Sequence, residues 1–190
     1  MSSNADNEFK HSSTTEVDSE VNYKLLSIDI GVHNLAIAIF SNGKFGSFQL
    51  ADIDKFRSKN EDLVIYRCKA LTEILNILKP TTIIVEKQFT SNVKAMSIMY
   101  AIVMYSITSK LDVKLIDPKM KFKYWDIPIN THNKEHKKES VARCEKYLVE
   151  INSSFLNDFR NLKKKDDVAD AINQGIAYLK FIETLPSSIH

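Results

Sequence analysis

The chain is predicted to fold as an α/β domain around a mixed five-stranded sheet: an antiparallel three-strand meander plus two parallel strands, flanked by helices. Three observations lead there. Short apolar runs joined by tight turns occupy residues 23–50. The pattern then alternates helix, strand, helix, strand up to residue 117, and strands reached by crossovers lie parallel to a neighbour. With 190 residues, 44% of them hydrophobic, the chain can bury one substantial core.

Residues 1–21 are expected to form a disordered tail, and residues 22–190 the folded domain. The first twenty are polar, with one Lys and five acids, too few large apolar groups to offset the entropy of ordering. They contain no apolar segment of the kind a secretory signal needs. No run approaches the roughly 20 apolar residues of a membrane span, so no membrane partner is expected.

The first strand is predicted at about 23–30, and the second at 34–40. Asn42-Gly43 supplies the positive-φ pair of a tight hairpin, and the third strand follows at 44–50 with Phe45 out of phase with Phe48. A helix then runs from a cap at Asn60, with Glu61 and Asp62 in its first turn, to Lys79-Pro80. Its expected apolar face includes Leu63, Val64, Tyr66, Ala70, Leu71, Ile74, Leu75 and Leu78. Residues 82–86 form a fourth strand. Residues 91–109 form a helix so apolar around its circumference that deep burial is expected. Residues 112–117 make a fifth strand, stopped by Pro118.

A change of chemistry follows. Lys119, Lys121, Phe122, Lys123, Tyr124 and Trp125 interleave cations with aromatic faces, and 126–133 reads as a loop. A helix over 134–151 turns Val141, Cys144, Leu148 and Ile151 inward and Lys134, Lys137 and Lys138 outward. After a looser segment a last helix opens at Asp166-Asp167 and runs to about Leu185, with Val168, Ile172, Ile176 and Leu179 as its apolar stripe. The net charge of +2 hides a local surplus. Residues 110–165 carry fourteen Lys and Arg against eight acids, which suits an anionic polymer.

Four carboxylates are the candidate site. Asp29 and Glu86 sit near the ends of strands otherwise made of Leu, Ile and Val, where an uncompensated charge is expensive. Asp167 and Asp170 are spaced i, i+3, on one side of a helix, and such neighbours raise each other's pKa unless a cation lies between them. Asp166 and Asp170 are an equally good i, i+4 pair, so helix geometry leaves Asp166 and Asp167 open. Oxygen donors of this kind suit a hard cation such as Mg2+. His132 and His136 are spaced i, i+4 but lack HExxH or a Cys partner, so zinc is not expected. With four glycines and no Gly-rich phosphate loop, no nucleotide cofactor is expected. Cys68 and Cys144 fall in helical patterns and are read as reduced core thiols.

The motifs IDIGVHN (28–34), IIVEKQF (83–89) and DDVADA (166–171), in that order, resemble the ribonuclease H-like nuclease superfamily. Within it they resemble the RuvC-type Holliday-junction resolvases, and the VEKQFTSN segment (85–92) with the Lys-rich middle is most similar to the poxvirus resolvases. The resemblance covers about 22–185. It implies a ribonuclease H-like fold and metal-dependent paired nicking of four-way DNA junctions, in recombination and replication-intermediate processing. It maps Asp29, Glu86, Asp167 and Asp170 onto the family's metal-binding carboxylates, selecting Asp167 over Asp166, which is expected to point toward solvent. Two Mg2+ per site are implied, with Mn2+ as a substitute. Phe89 matches an aromatic used near the junction's bases, and Lys119, Lys121, Lys123, Lys137 and Lys138 fall in the DNA-contacting region. A homodimer, suited to the apolar second helix, and a place in the host cytoplasm where virus replicates are also implied.

Two rivals have their own marks. IDIGVHNLAIAIF also resembles the first phosphate-binding strand-turn-strand of actin-like ATPases, but those need a second Gly-rich loop and a second such domain. A DNA-binding domain with an inactive site is the other, and the presence of all four acids argues against it.

Overall fold

The computed structural model describes residues 23–31, 33–120 and 133–185. The predicted tail, the Lys121–Trp125 segment and the 126–132 loop lie outside them. Five strands form one sheet in the order β3-β2-β1-β4-β5. They are β1 (Lys24–Asp29), β2 (Leu35–Ser41), β3 (Lys44–Ala51), β4 (Thr82–Glu86) and β5 (Asp112–Ile116). β1, β2 and β3 pair antiparallel, while β4 is parallel to both β1 and β5. This is the predicted meander with two parallel additions.

β1 and β2 are apolar without alternation because helices cover both faces of the sheet. On one face Leu26, Ile28, Ile37, Ile83 and Val85 pack against α1 (Leu63–Leu78) and α2 (Val93–Thr108). On the other, Leu25, Ala36, Ala38, Phe40 and Ile84 pack against α3 (Asn133–Glu150), α4 (Leu156–Asn161) and α5 (Lys165–Glu183). The short α4 falls in the segment expected to be loose; it forms around Phe159, which is fully buried.

Asn42 and Gly43 have the positive φ the hairpin requires. The phase conflict between Phe45 and Phe48 is resolved by a bulge opposite Ile39 and Phe40. One extra residue, Gly46, brings both rings to the same face, where they meet Phe155 edge-on.

Several expectations are corrected. α1 is capped by Asp62, not Asn60; the Asp62 carboxylate accepts from the N–H groups of Val64 and Ile65, and its charge suits a helix N-terminus. Val64 and Cys68 point to solvent, because α1 buries only the row Arg67, Leu71, Leu75 and Leu78. Cys144 is buried as expected, and burial pushes its thiol pKa far up. α2 is not buried all round. It lies in an outer layer against β5 and α1, so Val93, Tyr100, Met104 and Ile107 are more than half exposed. Ile151 falls beyond the end of α3 and is exposed. No described helix is long and apolar enough to cross a membrane.

Candidate active site

The last paired residues of β1 and β4 are Ile28 and Val85. Asp29 and Glu86 each come one residue later, so two carboxylates close neighbouring parallel strands at the same sheet end. The loop after Glu86 is held in place: Lys87 N–H donates to Ile116 O, and Gln88 Nε2 donates back to Glu86 O at 3.1 Å. It carries Phe89 with 72% of its surface exposed, so Phe89 is not a core residue.

α5 is laid along β1 in the opposite direction. Gln174 Nε2 donates to Ser27 Oγ at 3.2 Å and to Ile28 O at 3.4 Å. One turn later, Tyr178 comes close enough to Tyr23 for that neighbour, after burial, to help push its hydroxyl pKa up to about 12. Moving toward the start of α5 therefore moves toward the end of β1. Asp170 and Asp167 share the helical row of Gln174, at i−4 and i−7, and so lie at the Asp29–Glu86 end of the sheet.

The approach is close because the facing residues are small. A Cβ on Gly175 would stand 2.2 Å from the Phe40 ring and 3.1 Å from Ser27 Cβ. α3 then covers α5 from outside, which is why Val168 to Leu179 (Asp170 apart) is buried around the whole helix and not only along the predicted stripe.

The three acids of α5 differ in surroundings. Asp166 does not face solvent as expected. It pairs instead with Lys137 Nζ at 2.5 Å, and its side chain is 21% exposed. Burial alone would raise its pKa, but the Lys137 hydrogen bond and charge outweigh that and leave it below the usual carboxylate range. Asp167 is raised, first by burial and then by Asp166, with Asp170 adding to it. Asp170 Oδ1 accepts a 2.6 Å hydrogen bond from Ser140 Oγ. Sequence reasoning misses Ser140, Asn173 and Gln174; the available signal is an amide pair inside an apolar stripe.

A hard divalent cation suits this donor set, which is carboxylate oxygen throughout. The fit is one of residue type. Among the described residues, no three side chains of His, Cys, Asp or Glu stand close enough to share an ion, with Asp170 drawn to Ser140 and Asp166 to Lys137. Lys119 and Lys138 are exposed, Lys137 reaches Asp166, and Lys121 and Lys123 lie outside the described residues.

At the same sheet end, Arg67 clamps Asp54 of the β3–α1 loop through two hydrogen bonds of 2.8 and 2.5 Å. That bond first, and the Arg67 charge with it, lowers the Asp54 pKa against a smaller effect of burial.

This sheet order, with the acids at the ends of β1 and β4 and at the opening of α5, defines a ribonuclease H-like fold of the RuvC type. Residues 24–183 match the family described as Poxvirus A22 protein, and the chain belongs to that family. Among solved structures it is similar to the Fowlpox virus resolvase, crystallised with substrate Holliday junction DNA, with a TM-score of 0.66 and 22% identity. That similarity covers 84% of this chain and 98% of the other. It is also similar to Thermus thermophilus RuvC, with a TM-score of 0.57, 14% identity, and coverage of 84% and 95%. A T. thermophilus RuvC complex with a Holliday junction substrate gives a TM-score of 0.55, 16% identity, and coverage of 85% and 95%. No curated protein matches the sequence.

Proposed function

We propose that the chain is a Holliday-junction resolvase: a divalent-metal-dependent endonuclease that nicks four-way DNA junctions in pairs. The observation that carries this reading is the antiparallel lay of α5 on β1, anchored by Gln174 on Ser27 and Ile28. That lay supports a shared site for Asp29, Glu86, Asp167 and Asp170, since it turns the opening of α5 toward the sheet end where β1 and β4 finish. Family membership and the junction-bound similar structures support the same reading.

The four carboxylates would hold two Mg2+ ions, with Mn2+ as a substitute. Such ions supply activation of water and stabilisation of the departing 3′ oxygen. The chain's own groups bind and orient the DNA around that end. Phe89 offers an exposed ring beside Glu86 on which a base can stack, an interaction tolerant of sequence. Lys119 and Lys138 are exposed to meet phosphates, as the resemblance implies for Lys121 and Lys123 also. Lys137, at the edge of the acidic face, holds Asp166 and would be free to meet a phosphate only by leaving that carboxylate.

A two-fold dimer would give one site per strand of the junction. The row Val93, Tyr100, Met104 and Ile107 on α2 supports that arrangement, since it is apolar, exposed and runs the length of the helix. The family's poxvirus setting points to the host cytoplasm as the place of action.

Four substrates test the proposal: a synthetic four-way junction, a fork, a duplex and an RNA–DNA hybrid, each incubated with Mg2+ and with EDTA. Paired symmetric nicks in the junction alone, abolished by EDTA, are expected. Junction binding without cleavage in any divalent metal would favour the inactive DNA-binding alternative.

A further inference from the structure

We infer that Ser140 is a positioning residue for Asp170, fixing the orientation of that carboxylate from the neighbouring helix. The inference rests on the reading of Asp170 as a metal ligand.

The hydrogen-bond directions leave no choice. Asn173 Nδ2 lies 2.9 Å from the backbone carbonyl oxygen of Ser140 and 2.9 Å from its Oγ. A carbonyl oxygen only accepts, so the amide nitrogen must be the atom facing it. Ser140 Oγ therefore accepts from Asn173, and its single hydrogen goes to Asp170 Oδ1 at 2.6 Å. A short hydroxyl bond to one carboxylate oxygen restricts the rotation of that carboxylate.

Asn173 shows how firmly this relay is set. It is 2% exposed, and among the described residues its Oδ1 has no hydrogen-bond partner. Buried acceptors are seldom left unpaired, and here the side chain keeps its nitrogen on Ser140 while leaving its own oxygen unsatisfied. One turn earlier on α3, Lys137 reaches Asp166. Ser140 and Lys137 are i, i+3 on α3, and Asp170 and Asp166 are i, i+4 on α5. The Lys137 and Ser140 bridges help clip the helix carrying the lysines onto the acidic opening of α5, and the one from Ser140 ends on a candidate ligand.

Partners that orient metal ligands matter about 10- to 100-fold in metal affinity. The full chain as wild type, S140A and S140T is titrated with Mn2+, with binding read by calorimetry and by the electron-spin signal of free Mn2+. Each protein is melted in parallel. S140A is expected to weaken Mn2+ binding by about tenfold or more. Its Tm should stay close to wild type, because the backbone carbonyl at position 140 still receives Asn173. S140T keeps the hydroxyl and is expected to restore binding. Mn2+ affinity in S140A equal to wild type would overturn the inference. So would a loss of affinity matched by a fall in Tm and not restored by S140T. A wild-type chain that binds no Mn2+ would instead sink the metal-site reading itself, and the inference with it.

Discussion

The Phe40 ring occupies the space where a side chain on Gly175 would be, with Cε2 only 2.2 Å from that position. Through this close approach a glycine in the middle of a helix decides how near α5 comes to the sheet, and so where its acids lie. Gly175→Ala should force α5 outward or tilt the Phe40 ring, which is fully buried and packed edge-on against Phe45. A loss of about 1–3 kcal/mol is expected from such overpacking, despite alanine's better helix propensity. Urea denaturation measures it; a more stable variant would mean the Phe40 ring yields easily.

Asp167 and Asp166 should separate in function. Asp167→Asn removes a half-buried candidate ligand and should lower cleavage by more than the roughly 10- to 100-fold typical of losing an outer partner, while junction binding persists. Asp166→Asn loses the Lys137 pair and should change turnover little. Single-turnover cleavage beside gel-shift binding tests both. The reverse result would place the site one residue earlier on α5.

Exposed lysines flanking the acidic end should contribute to binding through released counterions. Replacing Lys119 and Lys138 by Ala should weaken junction binding and flatten the slope of log K against log salt by about 0.9 for each phosphate no longer neutralised. Binding isotherms across a salt series measure the slope. An unchanged slope would assign these two lysines to solvent alone.

Met104 is exposed in the apolar row of α2, away from the core. Met104→Asp should leave the melting temperature of the folded chain nearly unchanged in the monomer while shifting a dimer toward monomer, because an unpaired charge buried at an interface is strongly unfavourable. Sedimentation velocity reads the mass. A variant still dimeric at micromolar concentration would move the interface off α2.

The Arg67–Asp54 clamp should give a pH-dependent share of stability. The Asp54 pKa is lowered in the fold, first by the Arg67 hydrogen bond. The sign is therefore that of a depressed carboxylate: its contribution is complete above the ordinary value near pH 4 and is lost as pH falls through the lower folded value. Asp54→Ala should cost about 1.5–3 kcal/mol at neutral pH, the range for a hydrogen bond to a charged group. The gap from wild type should shrink as the solution is acidified below about pH 4. Parallel denaturation curves at neutral and acid pH check the direction.

Local chemistry along the chain is enough to set the order of elements: meander, helix, strand, helix, strand, and an acid-headed last helix. Asn42-Gly43 dictates a positive-φ turn, Lys79-Pro80 ends a helix, and apolar runs of five to seven residues mark strands covered on both faces. The four acids are legible for a similar reason, since a charge among Leu, Ile and Val stands out in the chain. Tertiary structure decides the rest, because it depends on which surfaces meet. The apolar circumference of α2 reads as buried until an outer-layer position leaves one side uncovered, and Asp166 reads as solvent-facing until α3 brings Lys137 across a separation of 29 residues. The Ser140–Asp170 bond spans 30 residues and has no local signature at all. A polar pair formed between two helices is fixed by their packing, here by the way α3 lies over α5.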